Sequence, residues 1–469
     1  MVQQSNADMP PEDFRRAGRH LVDWIADYLE DPRRYPVAAD CEPGALRRAM
    51  PGASPLEGDS IDAILRDFEE SILPRITHWN HPRFHAWFSI TSSGPGILGE
   101  LLTAALDANA MLWKSCPAAT ELEQVTTAWV LDWLQLPADW FGMIVDSAST
   151  AVLQAIVAAR QRAEPQSREA GPSNRLVAYV SEHTHSSAEK AAITAGIGQS
   201  NVRHIAVDSG FRMRPDILQE AIQSDVARHL KPFFAVATVG TTSTTAVDPV
   251  PEIAAICREN GLWLHVDGAY GGTFGLLPEC RHLLAGAEMG DSFVVNAHKM
   301  MLVPLDCSLL YTRHPEALRT AFSLTADYLT TDAVNVVDYA DYGLALGRRF
   351  RALKLWFVMR YFGRDGLTAI LREKLRMAAW LGARIAGDRR FELLAPPTMG
   401  LVCFRVREGD AATMDLMRRV NSSGFFVSQT KLSGRVAIRV AIGNVRTNQH
   451  DVEELWAAIE ARAAAFCVP

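Results

Sequence analysis

Between residues 81 and about 345 the chain alternates short apolar runs with helix-like segments. The runs are apolar throughout instead of alternating with polar residues, which is typical of strands buried on both faces of a parallel sheet. Five such runs are predicted strands: LVAYVS (176–181), FFAVATVG (233–240), LWLHVD (262–267), FVVNA (293–297) and SLLYT (308–312). The pattern therefore predicts an α/β domain built on a mostly parallel sheet.

The regions on either side of this large domain (81–349) have different patterns. Residues 1–80 read as helices broken by Pro/Gly-rich turns, with apolar residues at helical spacing at Phe14, Leu21, Ile25 and Leu29. This arm has little core of its own, so we expect it to pack on another part of the protein or on a partner subunit. Residues 350–469 alternate helices with strand-like LVCFRV (401–406) and VAIRVAIG (436–443), which predicts a smaller α+β domain.

Composition narrows the class of protein. The 469 residues are 48% apolar and 22% charged, as in soluble globular proteins, and the net charge of −7 gives no reason to expect nucleic acid or an anionic membrane as partner. We find no secretory signal and no uncharged apolar stretch of the roughly 18 residues that a membrane span needs. The seven cysteines never form Cys-x-x-Cys, which predicts reduced thiols in the cytoplasm.

Polar residues follow several predicted strands, at the edge where open α/β sheets bind ligands. Asp267 ends the run LWLHVD, and Lys299 follows the next run, in SFVVNAHK, 32 positions later (299 − 267). A desolvated lysine can form a Schiff base with an aldehyde, and an aspartate can pair with a protonated pyridine nitrogen. Taken singly, a lysine is usually solvated and such an aspartate usually caps a helix. Together they indicate the chemistry of pyridoxal 5'-phosphate (PLP).

Other candidate contacts are less specific. The hydroxyl groups of DSAST (146–150) precede a helix-like segment and suit a phosphate, although N-capping is the commoner role of such residues. Thr242, in ATVGTTSTTAVDP, is a second candidate for the phosphate or the ring. His185 could stack on a pyridine face and move a proton, whereas a lone histidine in a polar loop is more often solvated.

Three histidines crowd the segment HWNHPRFHAW: His78, His81 and His85. No cysteine or carboxylate stands at a matching spacing, so we predict a pocket wall rich in aromatic residues and no metal.

The order of these motifs resembles the group II PLP decarboxylases, and specifically the aromatic-L-amino-acid decarboxylases. The resemblance covers essentially the whole chain. It is carried by HPRFHAWF (81–88), CPAATELE (116–123), DSAST (146–150), YVSEHTHSSAEKAA (179–192), ATVGTTSTTAVDP (237–249), GLWLHVDGAYGG (261–272), DSFVVNAHK (291–299) and LGRRFRALKLWFVMR (346–360).

The resemblance implies a fold and a set of site residues. The fold is PLP fold type I, the aspartate aminotransferase-like fold. Lys299 matches the Schiff-base lysine, Asp267 the partner of the pyridine nitrogen, and His185 the histidine stacked on the cofactor. The remaining cofactor-binding positions, mainly around the phosphate, are Ala148, Ser149, Thr242, Asn296 and His298.

The resemblance also implies a mechanism and an assembly. Tyr328, in TADYLTT, matches the loop tyrosine that protonates the carbanion after carbon dioxide leaves, assisted by His185. The loop reaches the neighbouring subunit's site in that family and the arm clasps the partner, so we expect a homodimer with shared active sites.

The expected substrate is an aromatic L-amino acid, and the product its arylalkylamine. Several residues in the predicted substrate pocket differ from the usual family pattern. They favour different substrates, so the individual aromatic amino acids are not ranked. The predicted substrate contacts are Trp87, Phe88, Ser89, Asn109, Met111 and Ala345. Met300 also follows the lysine where tryptophan is usual.

Three alternatives stay open. An aldehyde synthase of the same family couples decarboxylation to oxygen-dependent deamination, and is associated with loss of the loop tyrosine that is present here. A decarboxylase of an acidic or aliphatic amino acid is the second alternative. A catalytically silent PLP-binding protein is the third. Such a protein could lose Lys299, Asp267 or Tyr328 without penalty, and all three are present here.

Overall fold

The central element of the protein is a seven-stranded sheet in the large domain. The computed structural model describes residues 8–324 and 336–466. The strands are β1 (Phe141–Val145), β2 (Leu176–Ser181), β3 (Val202–Ile205), β4 (Lys231–Thr238), β5 (Trp263–Asp267), β6 (Ser292–Val295) and β7 (Ser308–Thr312). They lie in the order β1-β7-β6-β5-β4-β2-β3. Only β7 runs against its neighbours, β6 and β1, so six strands share one direction.

Helices cover the two faces of this sheet and extend the chain at both ends. They are α1 (Pro11–Glu30), α2 (Ala45–Ala49), α3 (Ile61–Asp67), α4 (Gly94–Leu106), α5 (Pro117–Leu134), α6 (Ala148–Ala163), α7 (Ser167–Ala170), α8 (Ser187–Thr194), α9 (Pro215–Ala227), α10 (Val250–Asn260), α11 (Ala297–Met300), α12 (Pro315–Phe322), α13 (Arg351–Gly387), α14 (Asp410–Asn421) and α15 (Gln449–Arg462). Proline stands in the first turn of α1, α4, α5, α9, α10 and α12, where its missing N–H leaves no hydrogen bond unmade.

A second, antiparallel sheet forms the small domain. Its strands are β8 (Phe391–Ala395), β9 (Leu401–Val406), β10 (Ser428–Leu432) and β11 (Arg435–Ala441), in the order β10-β11-β9-β8. The long helix α13 leads into this domain from the large one, and its backbone departs from helical geometry at Gly363, where φ is +60°. Gly363 tolerates this value because it has no Cβ.

The fold class predicted from the sequence, an α/β domain of PLP fold type I with a mostly parallel sheet and a smaller C-terminal α+β domain, is confirmed, and the sheet has seven strands. The division at residues 80 and 349 stays a proposal. Residues 83–86, assigned to the large domain, hydrogen-bond to the small one: the N–H of His85 donates to the carbonyl of Phe426 (2.7 Å), and that of Ala441 to the carbonyl of His85 (2.9 Å). This segment therefore connects the two domains.

The N-terminal arm is tied to the small domain by two arginines. Arg33 pairs with the buried carboxylate of Asp451 at 2.6 Å, and Arg446 donates to the carbonyl of Leu29 at 3.1 Å. Among the described residues, no helix combines the length and apolar character that a bilayer crossing needs.

Candidate active site

Asp267 and Lys299 lie at the carboxyl ends of adjacent parallel strands. Asp267 is the last residue of β5, and Lys299 lies in α11, which follows β6; Asp267 stands opposite Val294 in the register of the two strands. The Asp267 carboxylate accepts a hydrogen bond from the N–H of Ala269 at 3.0 Å. The crevice outside these strand ends is where α/β sheets place ligands, so the topology brings the two predicted residues to one site.

The Lys299 amine is primed as a nucleophile. Burial lowers the pKa of Lys299 to about 8; the negative charge of Asp267 opposes this effect, and the positive charge of Arg439 adds to it. The side chain nevertheless keeps intermediate exposure, which is the condition of a residue that lines a cavity. A larger fraction of this amine is unprotonated near neutral pH than of an ordinary lysine.

Aromatic rings form one wall beside this amine. The Lys299 Nζ atom lies 5.7 Å from the centre of the Phe88 ring. Phe88 stacks on Tyr270, with ring centres 3.4 Å apart and planes 9° apart, and the Tyr270 hydroxyl donates to the carbonyl of Met399 at 2.6 Å. The wall is therefore held in place and limits the access of water to the amine.

Sequence reasoning missed a buried arginine at this wall. Arg439, on β11, is 3% exposed, and its guanidinium lies 4.4 Å from the centre of the Phe88 ring. Its Nε donates to the carbonyl of Thr242 and its Nη1 to that of Ala86, both at 2.9 Å. Its Nη2 is buried and has no hydrogen-bond partner among the described residues. An arginine inside the apolar run VAIRVAIG was the signal that could have found it.

His185 contacts α8 through its Nδ1 atom. The backbone N–H of Ser187 donates to Nδ1 at 3.2 Å, and the Ser187 hydroxyl lies 2.8 Å from the same atom. Burial lowers the pKa of His185; Asp267 opposes the effect, while the positive charges of Lys299 and Lys190 add to it. The imidazole is therefore a neutral group near pH 7 that shares its electrostatic surroundings with the other two predicted residues.

The start of α6 offers backbone donors for an anion. Ser147 is the N-cap, and its hydroxyl accepts from the N–H of Thr150 at 3.3 Å, so the expected capping role is observed. Ala148 and Ser149 begin the helix, where backbone N–H groups lack intrahelical acceptors and the helix dipole favours negative charge. A phosphate suits this position.

Two further predicted contacts, Asn296 and His298, are oriented by β7 and the residue before it. The hydroxyl of Ser308 donates to Asn296 Oδ1 at 2.7 Å, and the N–H of Cys307 donates to His298 Nδ1 at 3.0 Å. Burial lowers the pKa of His298 to about 4, with Lys299 adding to the effect. Because its Nδ1 is an acceptor, the neutral ring of His298 carries its proton on Nε2.

The residues predicted to bind substrate fall into two groups. Phe88 is at the Lys299 wall, and Ser89 next to it is buried, with a hydroxyl that has no hydrogen-bond partner in the described part of the chain. Trp87 is 47% exposed and contacts other aromatic rings. It stacks on Trp79 and packs edge-on against Phe426, with ring centres 5.4 Å apart in both pairs.

The second group lies around Arg348. The N–H of Arg348 donates to Asn109 Oδ1 at 3.0 Å, and the carbonyl of Met111 accepts from the N–H of Ala340. Asn109 and Ala345 are exposed on this chain. A buried ion pair fixes the group, since the Arg348 guanidinium lies 2.6 Å from the Glu123 carboxylate.

Tyr328 lies outside the described residues. The three clustered histidines have separate hydrogen bonds: His78 pairs with the Tyr28 hydroxyl (3.0 Å), His81 accepts from the N–H of Arg83 (3.0 Å), and His85 donates to the carbonyl of Ala441 (3.2 Å).

Comparison with known proteins places this site in a family. The pyridoxal-dependent decarboxylase conserved domain matches residues 43–407. Tryptophan decarboxylase 2 of Oryza sativa subsp. japonica is 39% identical over 467 residues, covering 96% of this chain and 94% of that protein. Phenylacetaldehyde synthase of Arabidopsis thaliana is 39% identical over 477 residues, covering 97% of both chains. The crystal structure of Oryza sativa TDC with PLP and tryptamine superposes with a TM-score of 0.95 at 34% identity, covering 98% of this chain and 99% of that one.

The chain belongs to the pyridoxal-dependent decarboxylase family, which confirms the family, the carboxy-lyase class and the PLP cofactor predicted from the sequence. The residues present fit that cofactor. Lys299 is partly exposed and its amine has a lowered pKa, the nearby carboxylate of Asp267 acts on that amine, and the start of α6 has backbone donors that suit a phosphate.

Borohydride reduction of the PLP-loaded protein should attach the cofactor covalently to Lys299. Lys374 is an internal control, because burial lowers its pKa to about 8 as well but its Nζ donates to the carbonyl of Thr447 at 2.7 Å. Peptide mapping by mass spectrometry should therefore find the label on Lys299 and not on Lys374. Label on Lys374, or an unlabelled Lys299 peptide, would contradict this site.

Proposed function

We propose that this enzyme decarboxylates an aromatic L-amino acid to the corresponding arylalkylamine and carbon dioxide. The observation that carries the proposal is the unpartnered Nη2 of buried Arg439, beside the Lys299 amine and the Phe88 ring. A buried donor without an acceptor is costly, and a substrate carboxylate is an acceptor of complementary charge. The site then holds an amino acid by its acidic end next to the residue that carries the cofactor.

The cofactor would be held by residues of the large domain. Lys299 would bind its aldehyde carbon, Asp267 its pyridine nitrogen, and His185 the face of its ring. Five further residues would hold the cofactor, mainly around its phosphate: Ala148, Ser149, Thr242, Asn296 and His298. Bound there, PLP supplies an electron sink for the electron pair left on Cα when carbon dioxide departs.

The chain's own residues then have distinct tasks. Arg439 orients the carboxylate, and the stacked rings of Phe88 and Tyr270 exclude water from the reacting atoms. We assign the return of a proton to Cα to Tyr328 on the strength of its sequence position, with His185 as its helper. Lys299 would hold the cofactor aldehyde whenever no amino acid or amine is bound.

An aromatic substrate is supported by the site and by the relatives. Phe88 presents a ring at the Lys299 amine, and the similar proteins are a tryptophan decarboxylase and a phenylacetaldehyde synthase. The second name also supports the alternative product, an aldehyde formed with oxygen. We favour the amine because the chain keeps both Tyr328 and His185. The substrate contacts are Trp87, Phe88, Ser89, Asn109, Met111 and Ala345.

Product analysis tests the function directly. Purified, PLP-loaded protein incubated in air with a panel of aromatic and acidic L-amino acids should yield an arylalkylamine and carbon dioxide, because the proton donor is retained. Mass spectrometry identifies the product and the preferred substrate. Aldehyde with ammonia and peroxide would establish the alternative instead, and turnover of acidic substrates alone would overturn the aromatic assignment.

Arg439→Gln should lower kcat/KM for the amino acid by about 100-fold, because it removes one partner of a buried charge pair. Inhibition by the product amine, which lacks the carboxylate, should stay at the wild-type level. The matched control is Arg405→Gln, a buried arginine on the neighbouring strand β9 that pairs with Asp410 at 3.1 Å; it should leave both constants unchanged. Equal losses for amino acid and amine would remove Arg439 from carboxylate binding.

We also propose a homodimer. Helix α1 exposes the apolar side chains of Phe14 and Val22, and α4 and α13 enclose a groove of about 480 Å³ lined by Leu98, Trp356 and Phe357. Uncovered apolar areas of this kind mark interaction sites. A second copy of this chain suits the groove because its N-terminal arm also has exposed apolar side chains that would be buried in the contact. The proposed location is the cytoplasm, supported by six described cysteines that form no disulfide.

Light scattering tests the assembly. The wild type should have about twice the chain mass of 51.6 kDa. Leu98→Asp places a charge in the groove and should shift the mass towards the single chain. Val226→Asp is the control: Val226 is 54% exposed on α9, away from the groove, and its replacement should keep the dimer mass. A wild-type mass of one chain would contradict the homodimer.

A further inference from the structure

Two donors meet the Nδ1 atom of His185. The backbone N–H of Ser187 lies at 3.2 Å and the Ser187 hydroxyl at 2.8 Å. A backbone N–H can only donate, so it requires a lone pair on Nδ1, and the hydroxyl can turn to donate to the same atom. Nδ1 therefore carries no proton, and the single proton of the neutral ring resides on Nε2.

Burial and two nearby lysines favour the neutral ring of His185. Asp267 at the end of β5 favours the charged imidazole, whereas burial, Lys299 in α11 and Lys190 in α8 disfavour it, and the balance lowers the pKa of His185. A second proton would have to displace both donors from Nδ1. The ring consequently acts through one group, the N–H at Nε2, on the edge opposite Ser187.

We propose that Ser187 is a positioning residue that holds His185 in its Nε2-protonated tautomer, so that His185 serves the reaction as a neutral hydrogen-bond donor. The inference rests on the proposed decarboxylation and refines the task of His185 within it. A neutral imidazole does not give up its remaining proton near pH 7. His185 therefore supports the group that protonates Cα with a hydrogen bond, and no proton passes from His185 to the substrate.

Neighbouring serines offer a matched comparison. Ser186 is the N-cap of α8, and its side chain makes no capping hydrogen bond. Ser186→Ala thus removes a hydroxyl one position away and leaves the contacts of His185 intact. Ser187→Ala removes one of the two donors, while Ser187→Thr retains a hydroxyl on the same carbon.

The experiment uses the PLP-loaded enzyme and two readouts. The first is the pH titration of the visible absorbance of the bound cofactor, which requires no turnover. Because donors to Nδ1 favour the neutral ring, Ser187→Ala should raise the acidic midpoint by about half to one pH unit. Ser187→Thr should restore the midpoint, and Ser186→Ala should keep it.

The second readout is turnover in air with the preferred amino acid. Ser187→Ala should lower kcat about threefold to tenfold, the effect of one hydrogen bond, and raise the share of aldehyde over amine. KM should change little, since Ser187 does not touch the substrate.

Outcomes of the two readouts separate the two proposals. A wild-type midpoint and product ratio in Ser187→Ala, or a Ser187→Thr as defective as Ser187→Ala, would overturn the tautomer proposal. A shifted midpoint in a protein that decarboxylates no aromatic amino acid would uphold the role of Ser187 and overturn the proposed function.

Discussion

The buried guanidinium of Arg439 joins three separate parts of the chain. It extends from the small domain and donates to the carbonyl of Thr242 in a large-domain loop and to that of Ala86 in the segment between the domains. These carbonyl groups accept the hydrogen bonds of Nε and Nη1 but do not neutralise the charge, and an unneutralised buried charge is expensive. The domains therefore meet around a positive charge that is fully compensated only by an anionic ligand.

Burial, with a smaller contribution from nearby positive charges, sets the protonation of Lys299 and His185. At Lys299, burial disfavours the charged amine, the Asp267 carboxylate favours it, and the Arg439 cation disfavours it. The lysine amine loses its proton more readily, and His185 stays neutral. In the proposed function, this arrangement prepares a nucleophile, retains a neutral hydrogen-bond donor and attracts the carboxylate of the amino acid.

Sequence patterns predicted the strands that are buried on both faces, and three of them, β2, β7 and β9, match residue for residue. Strands β3 (VRHI) and β10 (SQTKL) were missed because they lie at sheet edges and carry polar side chains. The antiparallel direction of β7 could not be predicted either, since a run of apolar residues does not indicate which way the strand runs in the sheet. Arg439 was missed because its role depends on carbonyls that lie 197 and 353 positions away.

Arg439 lies far along the sequence from the other site residues, so the ribosome adds it well after them. The last strand of the large sheet ends at Thr312, and Arg439 is made 127 positions later (439 − 312). At 5–20 residues per second, a ribosome needs roughly 10 s to cover this distance. During that interval the growing chain already contains Lys299 and Asp267 but still lacks Arg439. A nascent chain therefore acquires the lysine proposed to hold the aldehyde before the arginine proposed to hold the amino acid.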